Sequence, residues 1–225
     1  MNILVLNGSP KAKSDTMRLT RAFLEGLTAE IPADVTIVDV IQKNIRPCTG
    51  CFGCWARGDG KCVINDDQND ILAAYVKADV ILWSFPLYCY GMPGHLKSVL
   101  DRTIPLVQLK MVEVDGRVQH VPLVDFSKKR TLIISGAGFP DWEGNFEGLR
   151  MQCKTCFGDP TMVFVPETPL LNIPEAAPLA DPLLEKFRHA GREYAHGRTL
   201  SPETIASLET PMMPREDYLR NVNGN

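Results

Sequence analysis

Long uninterrupted apolar runs are missing from this chain. The longest stretch without Asp, Glu, Lys or Arg, Val80 to Leu96, has 17 residues and contains Pro86, Gly91, Pro93 and Gly94, so it cannot run as one bilayer-spanning helix. An excess of charge of one sign is missing too. The 24 basic residues stand against 27 acidic ones, a formal net charge of -3, which leaves no electrostatic footprint for nucleic acid or an anionic membrane as partner. Histidine is scarce, and His95, His120, His189 and His196 show neither metal-ligand nor triad spacing. A Walker A loop with its Gly-Lys-Ser/Thr ending and a Gly-x-Gly-x-x-Gly dinucleotide turn are both lacking. Met1 leads into the apolar run Ile3 to Leu6 with no basic region, and Asn7-Gly8-Ser9-Pro10 breaks that run too early for a secretory signal; a cytoplasmic protein is expected.

What is present is ordinary globular composition: 225 residues, 44% hydrophobic and 23% charged, enough for one enlarged domain with its own core. Short apolar segments recur at Asn2 to Leu6, Val35 to Val40, Val80 to Phe85, Thr131 to Ser135 and Met162 to Val165. Their β-branched, continuously apolar character predicts strands buried on both faces. Between and after them, helices are predicted over Asp15 to Leu27, Asn69 to Lys77, Leu96 to Thr103, Asn145 to Cys156 and Pro182 to His196. The βα alternation describes a doubly wound α/β fold with a five-stranded parallel sheet. It is interrupted at residues 109–129, where two short strands meet across Asp115-Gly116-Arg117 as an inserted hairpin. The main domain is read as residues 1–198, and the proline-bearing residues 199–225 as a C-terminal tail.

Three loops fall at the carboxyl ends of predicted strands, where open parallel sheets bind ligands. The first, Asn7 to Thr16, precedes a helix N-terminus and offers Ser9, Ser14 and Thr16 as hydroxyl donors and Lys11 as a charge, a setting for phosphate. The second, Pro86-Leu87-Tyr88-Cys89-Tyr90-Gly91-Met92, supplies aromatic rings for stacking and a glycine where backbone can approach a ring system. The third carries Gly136 and Gly138. A phosphate loop, an aromatic loop and a glycine loop together suit flavin mononucleotide (FMN).

The combination Gly8-Ser9-Pro10-Lys11 with Ser14-x-Thr16, Pro86-x-Tyr88 with Gly91, Leu96-Lys97 and Asp101-Arg102 resembles the NADPH-dependent FMN reductases of the flavodoxin-like superfamily. The resemblance spans about residues 1–165. It implies the strand order 2-1-3-4-5, FMN phosphate at Ser9 to Thr16 and the isoalloxazine between Pro86 to Met92 and Gly136 to Gly138. It also implies NAD(P)H as co-substrate and a homodimer or homotetramer. Asp15 departs from the family pattern, in which Asn is usual; a carboxylate beside a phosphate is repulsive unless it caps the helix or turns away.

Four of the seven cysteines lie between residues 47 and 64: Cys48, Cys51, Cys54 and Cys62, in the spacing C-x2-C-x2-C-x7-C. This looks like the compact motif of the iron-sulfur flavoproteins, and three thiolates at such spacing can wrap one face of a [4Fe-4S] cubane while the fourth closes it. A structural zinc site and unliganded thiols, as in flavin reductases with a similar Gly-Cys-Phe-x-Cys-Trp segment, are the other two readings. Two functions are expected accordingly. In one, an FMN-dependent oxidoreductase uses NAD(P)H to reduce a quinone, flavin or other small acceptor. In the other, an electron-transfer flavoprotein relays electrons from a ferredoxin-like partner. In neither is a catalytic side chain required, because the flavin carries the chemistry.

Overall fold

β-Branched and aliphatic residues concentrate in the segments that become strands. The computed structural model describes residues 1–224 and runs β1 (Asn2–Asn7), α1 (Asp15–Glu30), β2 (Asp34–Asp39), α2 (Gly53–Arg57), α3 (Gln68–Lys77), β3 (Val80–Pro86), α4 (Gly94–Asp101), β4 (Val107–Val114), β5 (Arg117–Pro122), β6 (Arg130–Gly136), α5 (Glu147–Phe157), β7 (Thr161–Val165), α6 (Ala177–Gly197), α7 (Pro202–Glu209) and α8 (Arg215–Asn223). Five strands form one parallel sheet in the order β2-β1-β3-β6-β7. This is the flavodoxin-like order expected.

Side chains alternate across a strand, and that period of two sorts the core into two layers. Ile3, Val5, Val80, Leu82, Leu132, Ile134, Val163 and Val165 face α1 and α6. Leu4, Leu6, Ile81, Trp83, Phe85, Ile133 and Phe164 face α3, α4 and α5. One expected strand departs from the double burial of the others: β2 lies at the sheet edge, with Ile37 exposed. On the first layer, α1 and α6 cross at two glycines. A Cβ on Gly26 would stand 1.9 Å from the carbonyl oxygen of Arg188, and one on Gly191 would stand 1.9 Å from that of Phe23. The two helix backbones touch there.

The β4–β5 hairpin stands apart from the main sheet. Asp115 and Gly116 both adopt positive φ, and Arg117 already pairs with Val114, so the loop has two residues where three were expected. Residues 199–224, expected as an appendage, form α7 and α8 and pack against the body. Leu200 and Leu208 enter the first core layer, and Tyr218 is buried with Leu170 and Ala176. Neither helix was expected, nor was α2. Among the described residues no helix is long and apolar enough to cross a membrane.

Candidate functional site

Strand order reverses between β1 and β3, since the chain leaves β1 for one edge and returns to β3 on the other side. The crevice at their carboxyl ends is where such sheets accept ligands. Asn7 and Ser84 are register partners there, and the Gly8 amide donates to the Ser84 carbonyl at 2.8 Å. Gly8 sits so close to α4 that a Cβ would come within 2.5 Å of the Leu96 side chain.

Ser14 caps α1: its hydroxyl accepts from the Met17 amide at 3.1 Å and lies 3.1 Å from the Thr16 hydroxyl. The other amides of the first turn lack helical partners by construction and carry the positive end of a 16-residue helix dipole. Ser9 is buried; its hydroxyl accepts from the Lys11 amide, and its own amide donates to the Asn7 side chain. His95 joins the loop from α4 through a 2.9 Å hydrogen bond to the Gly8 carbonyl. The Asp15 carboxylate is held by Lys11 Nζ at 3.0 Å and by the Asn172 amide. Its charge is therefore neutralised by a neighbour within the same loop.

The second loop begins at Pro86, whose register partner is Gly136, and the Leu87 amide donates to the Gly136 carbonyl at 2.8 Å. Beyond it, Tyr88 and Gly91 exchange two 3.0 Å hydrogen bonds around a tight turn in which Cys89 and Tyr90 both have positive φ, 47° and 62°. Non-glycine residues in that region cost about 1 to 3 kcal/mol each and cluster where function requires a particular presentation. Here the turn projects Tyr90 outward, about half exposed, with its ring parallel to Phe139 at a centroid separation of 6.3 Å. Met92 turns away from the crevice and packs in the core.

The third loop is sewn to the segment after β7. Amides of Ala137, Glu167 and Thr168 bond across it, and a Cβ on Gly136 would lie 2.4 Å from the Thr168 side chain. Ser9, Lys11, Asp15, Thr16, Pro86, Leu87, Tyr88, Gly136 and Gly138 thus surround one cavity of about 150 Å³, closed on its far side by Thr168 and Pro169. Ser14 lines the adjoining basic cleft of about 370 Å³ with Lys13, Arg18 and Arg21. Cys89, Tyr90 and Gly91 form the rim turn outside the cavity.

A second cavity, about 60 Å³, is lined by all four clustered cysteines with Arg102, Ile104 and Pro105. Cys48 and Cys51 are exposed, Cys62 is half-buried and Cys54 is buried at the start of α2. The Gly53 amide and the Thr49 hydroxyl draw the Cys51 thiol below its usual pKa, whereas burial pushes the Cys54 thiol up. Trp55 fixes this loop to the hairpin, donating to the Val107 carbonyl at 3.0 Å and stacking on Phe52. Among the described residues no three Cys, His, Asp or Glu side chains gather tightly enough for one metal ion. Each cysteine of a [4Fe-4S] centre binds a separate iron, so its thiols stand farther apart than around a single tetrahedral ion. Four cysteine thiols lining one cavity are the donor set that a [4Fe-4S] centre takes. Cys153 is buried in the core, where its thiol is pushed up to about 12, and Cys156 is exposed; both are free.

The model of the NADPH-dependent FMN reductase family matches residues 1–121. The chain belongs to this family. An iron-sulfur flavoprotein of Methanocaldococcus jannaschii is 34% identical over 106 residues, covering 47% of this chain and 53% of that protein. The chain thus matches about half the length of such curated relatives. Among solved structures, an FMN-dependent NADH-azoreductase of Bacillus anthracis, crystallised with FMN, superposes with TM-score 0.64 at 18% identity, over 87% of this chain and 99% of that one. An NAD(P)H:quinone oxidoreductase of Methanothermobacter marburgensis gives 0.62 at 16% identity, over 87% and 98%. At these identities the structures share the fold.

Within this FMN reductase fold, the sequence motifs did not reveal Thr168 and Pro169, which close the cavity from the segment after β7, or Asn172, which lines the adjoining cleft. Nor did they reveal Glu167, fully buried at φ 58°. The signal that could have found them was the proline-bearing stretch Pro166-Glu167-Thr168-Pro169, which follows a strand end where a ligand loop belongs.

Proposed function

We propose that the protein is an FMN-dependent oxidoreductase that takes electrons from NAD(P)H and passes them to a quinone, flavin or other small acceptor. One observation carries the reading: the three sequence-distant loops meet around a single cavity at the switch point of the sheet. The residues suit FMN chemically. The capped N-terminus of α1, with Ser9, Thr16 and Lys11, suits the phosphate. Pro86 to Tyr88 and the Gly136 to Gly138 backbone suit a flat ring, and the Gly136–Thr168 contact shows how little room a larger residue at 136 would have. FMN, when bound, supplies the two-electron and one-electron redox chemistry. The chain itself orients the ring, screens the phosphate and keeps the rim turn open for an acceptor. The test is FMN titration of the protein followed by stopped-flow mixing with NADPH and NADH. Tight FMN binding with flavin bleaching by either nicotinamide supports the reading; failure to bind FMN at micromolar concentration overturns it.

The four-cysteine cavity favours a second role within the same chain. We read Cys48, Cys51, Cys54 and Cys62 as ligands of a [4Fe-4S] centre that passes single electrons between FMN and a ferredoxin-like partner. Iron and sulfide assays on protein purified without oxygen test this, with about four irons per chain expected. The exposed hairpin side chains Leu109, Met111 and Val118 suit a second copy of the chain, in a homodimer or homotetramer. Seven free cysteines suit a reducing, cytoplasmic setting.

A further inference from the structure

Behind the four-cysteine cavity lies an ion pair removed from water. Arg102 is 1% exposed, and the Asp66 side chain is fully buried. Asp66 accepts from both Arg102 terminal nitrogens, at 2.6 and 2.8 Å, and from the amides of Arg46 and Gln68 at 3.0 and 3.2 Å. Burial would raise its carboxyl, but these bonds outweigh burial and hold it below the usual carboxylate range. Arg102 also donates to the carbonyls of Arg46 and Ile64. The guanidinium thus holds the cysteine loop to the end of α4 through both terminal nitrogens.

Its third nitrogen is not used. Arg102 Nε is buried and has no hydrogen-bond partner among the described residues. A buried N–H left without an acceptor loses its hydration without replacement, a larger loss when the group is charged. The pair is also asymmetric about the cavity: Arg102 lines it with the four cysteines, and Asp66 does not. Of the other nearby cations, Arg46 is exposed and reaches Asp66 at 3.7 Å, and Arg57 is exposed and paired with Asp59 at 2.7 Å.

We propose that Arg102 is a positioning residue for an anionic cysteine-ligated centre, offering its unused Nε–H and its charge to the Cys62 side of the cavity and thereby raising the reduction potential of that centre. Asp66 opposes it, holding the guanidinium in place and damping its charge. The inference rests on the [4Fe-4S] reading. Its physical basis is that a buried positive charge and a hydrogen bond toward a thiolate ligand both favour the more negative, reduced form. Arg serves here where Lys would not, because its planar fork can bind Asp66 through two nitrogens and still direct a third N–H elsewhere.

The experiment is an anaerobic redox titration of the full chain followed by electron paramagnetic resonance, on wild type, Arg102→Lys and Asp66→Asn, with iron and sulfide measured on each sample. Arg102→Lys keeps a positive charge and loses the Nε–H; its midpoint should fall, with the reduced-to-oxidised ratio at fixed potential changing about tenfold, or 59 mV for one electron. Asp66→Asn removes the opposing charge and should shift the midpoint upward. Opposite shifts support the proposal, since a merely structural pair would show loss of iron or shifts of one sign. A wild-type midpoint in Arg102→Lys at full iron content overturns it while leaving the cluster reading intact. If Arg102→Lys does not fold, an unchanged or lowered midpoint in Asp66→Asn overturns it alone. A wild type that takes up neither iron nor sulfide overturns both.

Discussion

The Tyr218 hydroxyl donates to the Gly138 carbonyl at 2.6 Å, joining the last helix to the glycine loop of the crevice. Around it, Arg215 pairs with Asp141 at 3.0 Å, and Glu209 accepts from the Phe164 amide at 2.9 Å. Removal of residues 199–225 should therefore cost stability as well as site geometry. Leu200, Leu208 and Tyr218 are each at least 95% buried, and at about 1.5 to 3 kcal/mol per large apolar side chain the loss is roughly 5 kcal/mol. Tyr218→Phe retains the packing and should weaken FMN binding with only about 1 kcal/mol lost in stability. Flavin fluorescence titration and thermal unfolding separate the two effects; unchanged FMN affinity in Tyr218→Phe would dissociate the tail from the site.

Glu167 should make the docking of the segment leading into α8 dependent on pH. Its carboxyl is buried, Oε2 accepts the amides of Met212 and Met213, and Oε1 has no partner among the described residues. Burial raises its pKa, and the two amide bonds offset only part of that rise. The folded state thus holds this proton more tightly than the unfolded one. The contribution to stability is full below the ordinary glutamate range and is lost as pH rises through the raised folded value. Glu209 is raised by burial as well and acts with the same sign. Glu167→Gln should flatten the decline in unfolding free energy as pH rises above the ordinary glutamate range. Denaturant melts across that rise are the check, and an unaltered slope would assign the dependence elsewhere.

Ser14 can be replaced by a residue that caps equally well and binds phosphate badly. Ser14→Asp keeps a strong N-cap acceptor for the Met17 amide but places a second carboxylate near the anion site, where Lys11 is already committed to Asp15. FMN affinity is expected to drop at least about tenfold, or roughly 1.4 kcal/mol, with little change in melting temperature. Riboflavin, which has no phosphate, should bind the variant and the wild type alike.

The strained turn at Cys89 and Tyr90 should be separable from the fold. Cys89→Asn with Tyr90→Gly installs the sequence that such two-residue turns favour. Thermal stability should rise by about 1 kcal/mol or more, while reduction of planar aromatic acceptors should slow because the ring facing Phe139 is gone. Steady-state assays with a quinone and with a non-aromatic oxidant distinguish loss of an acceptor platform from general damage.

Much of the architecture was legible because a strand buried on both faces must be apolar at nearly every position, as Val80 to Phe85 is. The edge strand β2 was placed correctly but misread in burial, since its apolar residues flank only one neighbour. Helices α7 and α8 were hidden by Pro202, Pro211 and Pro214. Pro202 and Pro214 stand at helix starts, where proline is tolerated, and their stop signals masked the buried Leu208 and Tyr218. The phosphate, aromatic and glycine loops could be found because each follows a recognisable strand end. Met92 could not be told from its neighbours, because a methionine in a loop carries no periodicity to say which way it faces.

By itself, the sequence determined the βα alternation of a parallel sheet, the three loops at the carboxyl ends and the cluster of four cysteines. Those features are local: hydrophobic period, turn residues and spacing are written in contiguous segments. Tertiary structure alone decided that Asn172 would hydrogen-bond to Asp15, that Tyr218 would reach Gly138, and that Arg102 would line the cysteine cavity while binding Asp66. The partners in these contacts lie 157, 80 and 36 residues apart. Such contacts depend on how sheet and helices bring distant segments together, and no local pattern encodes them.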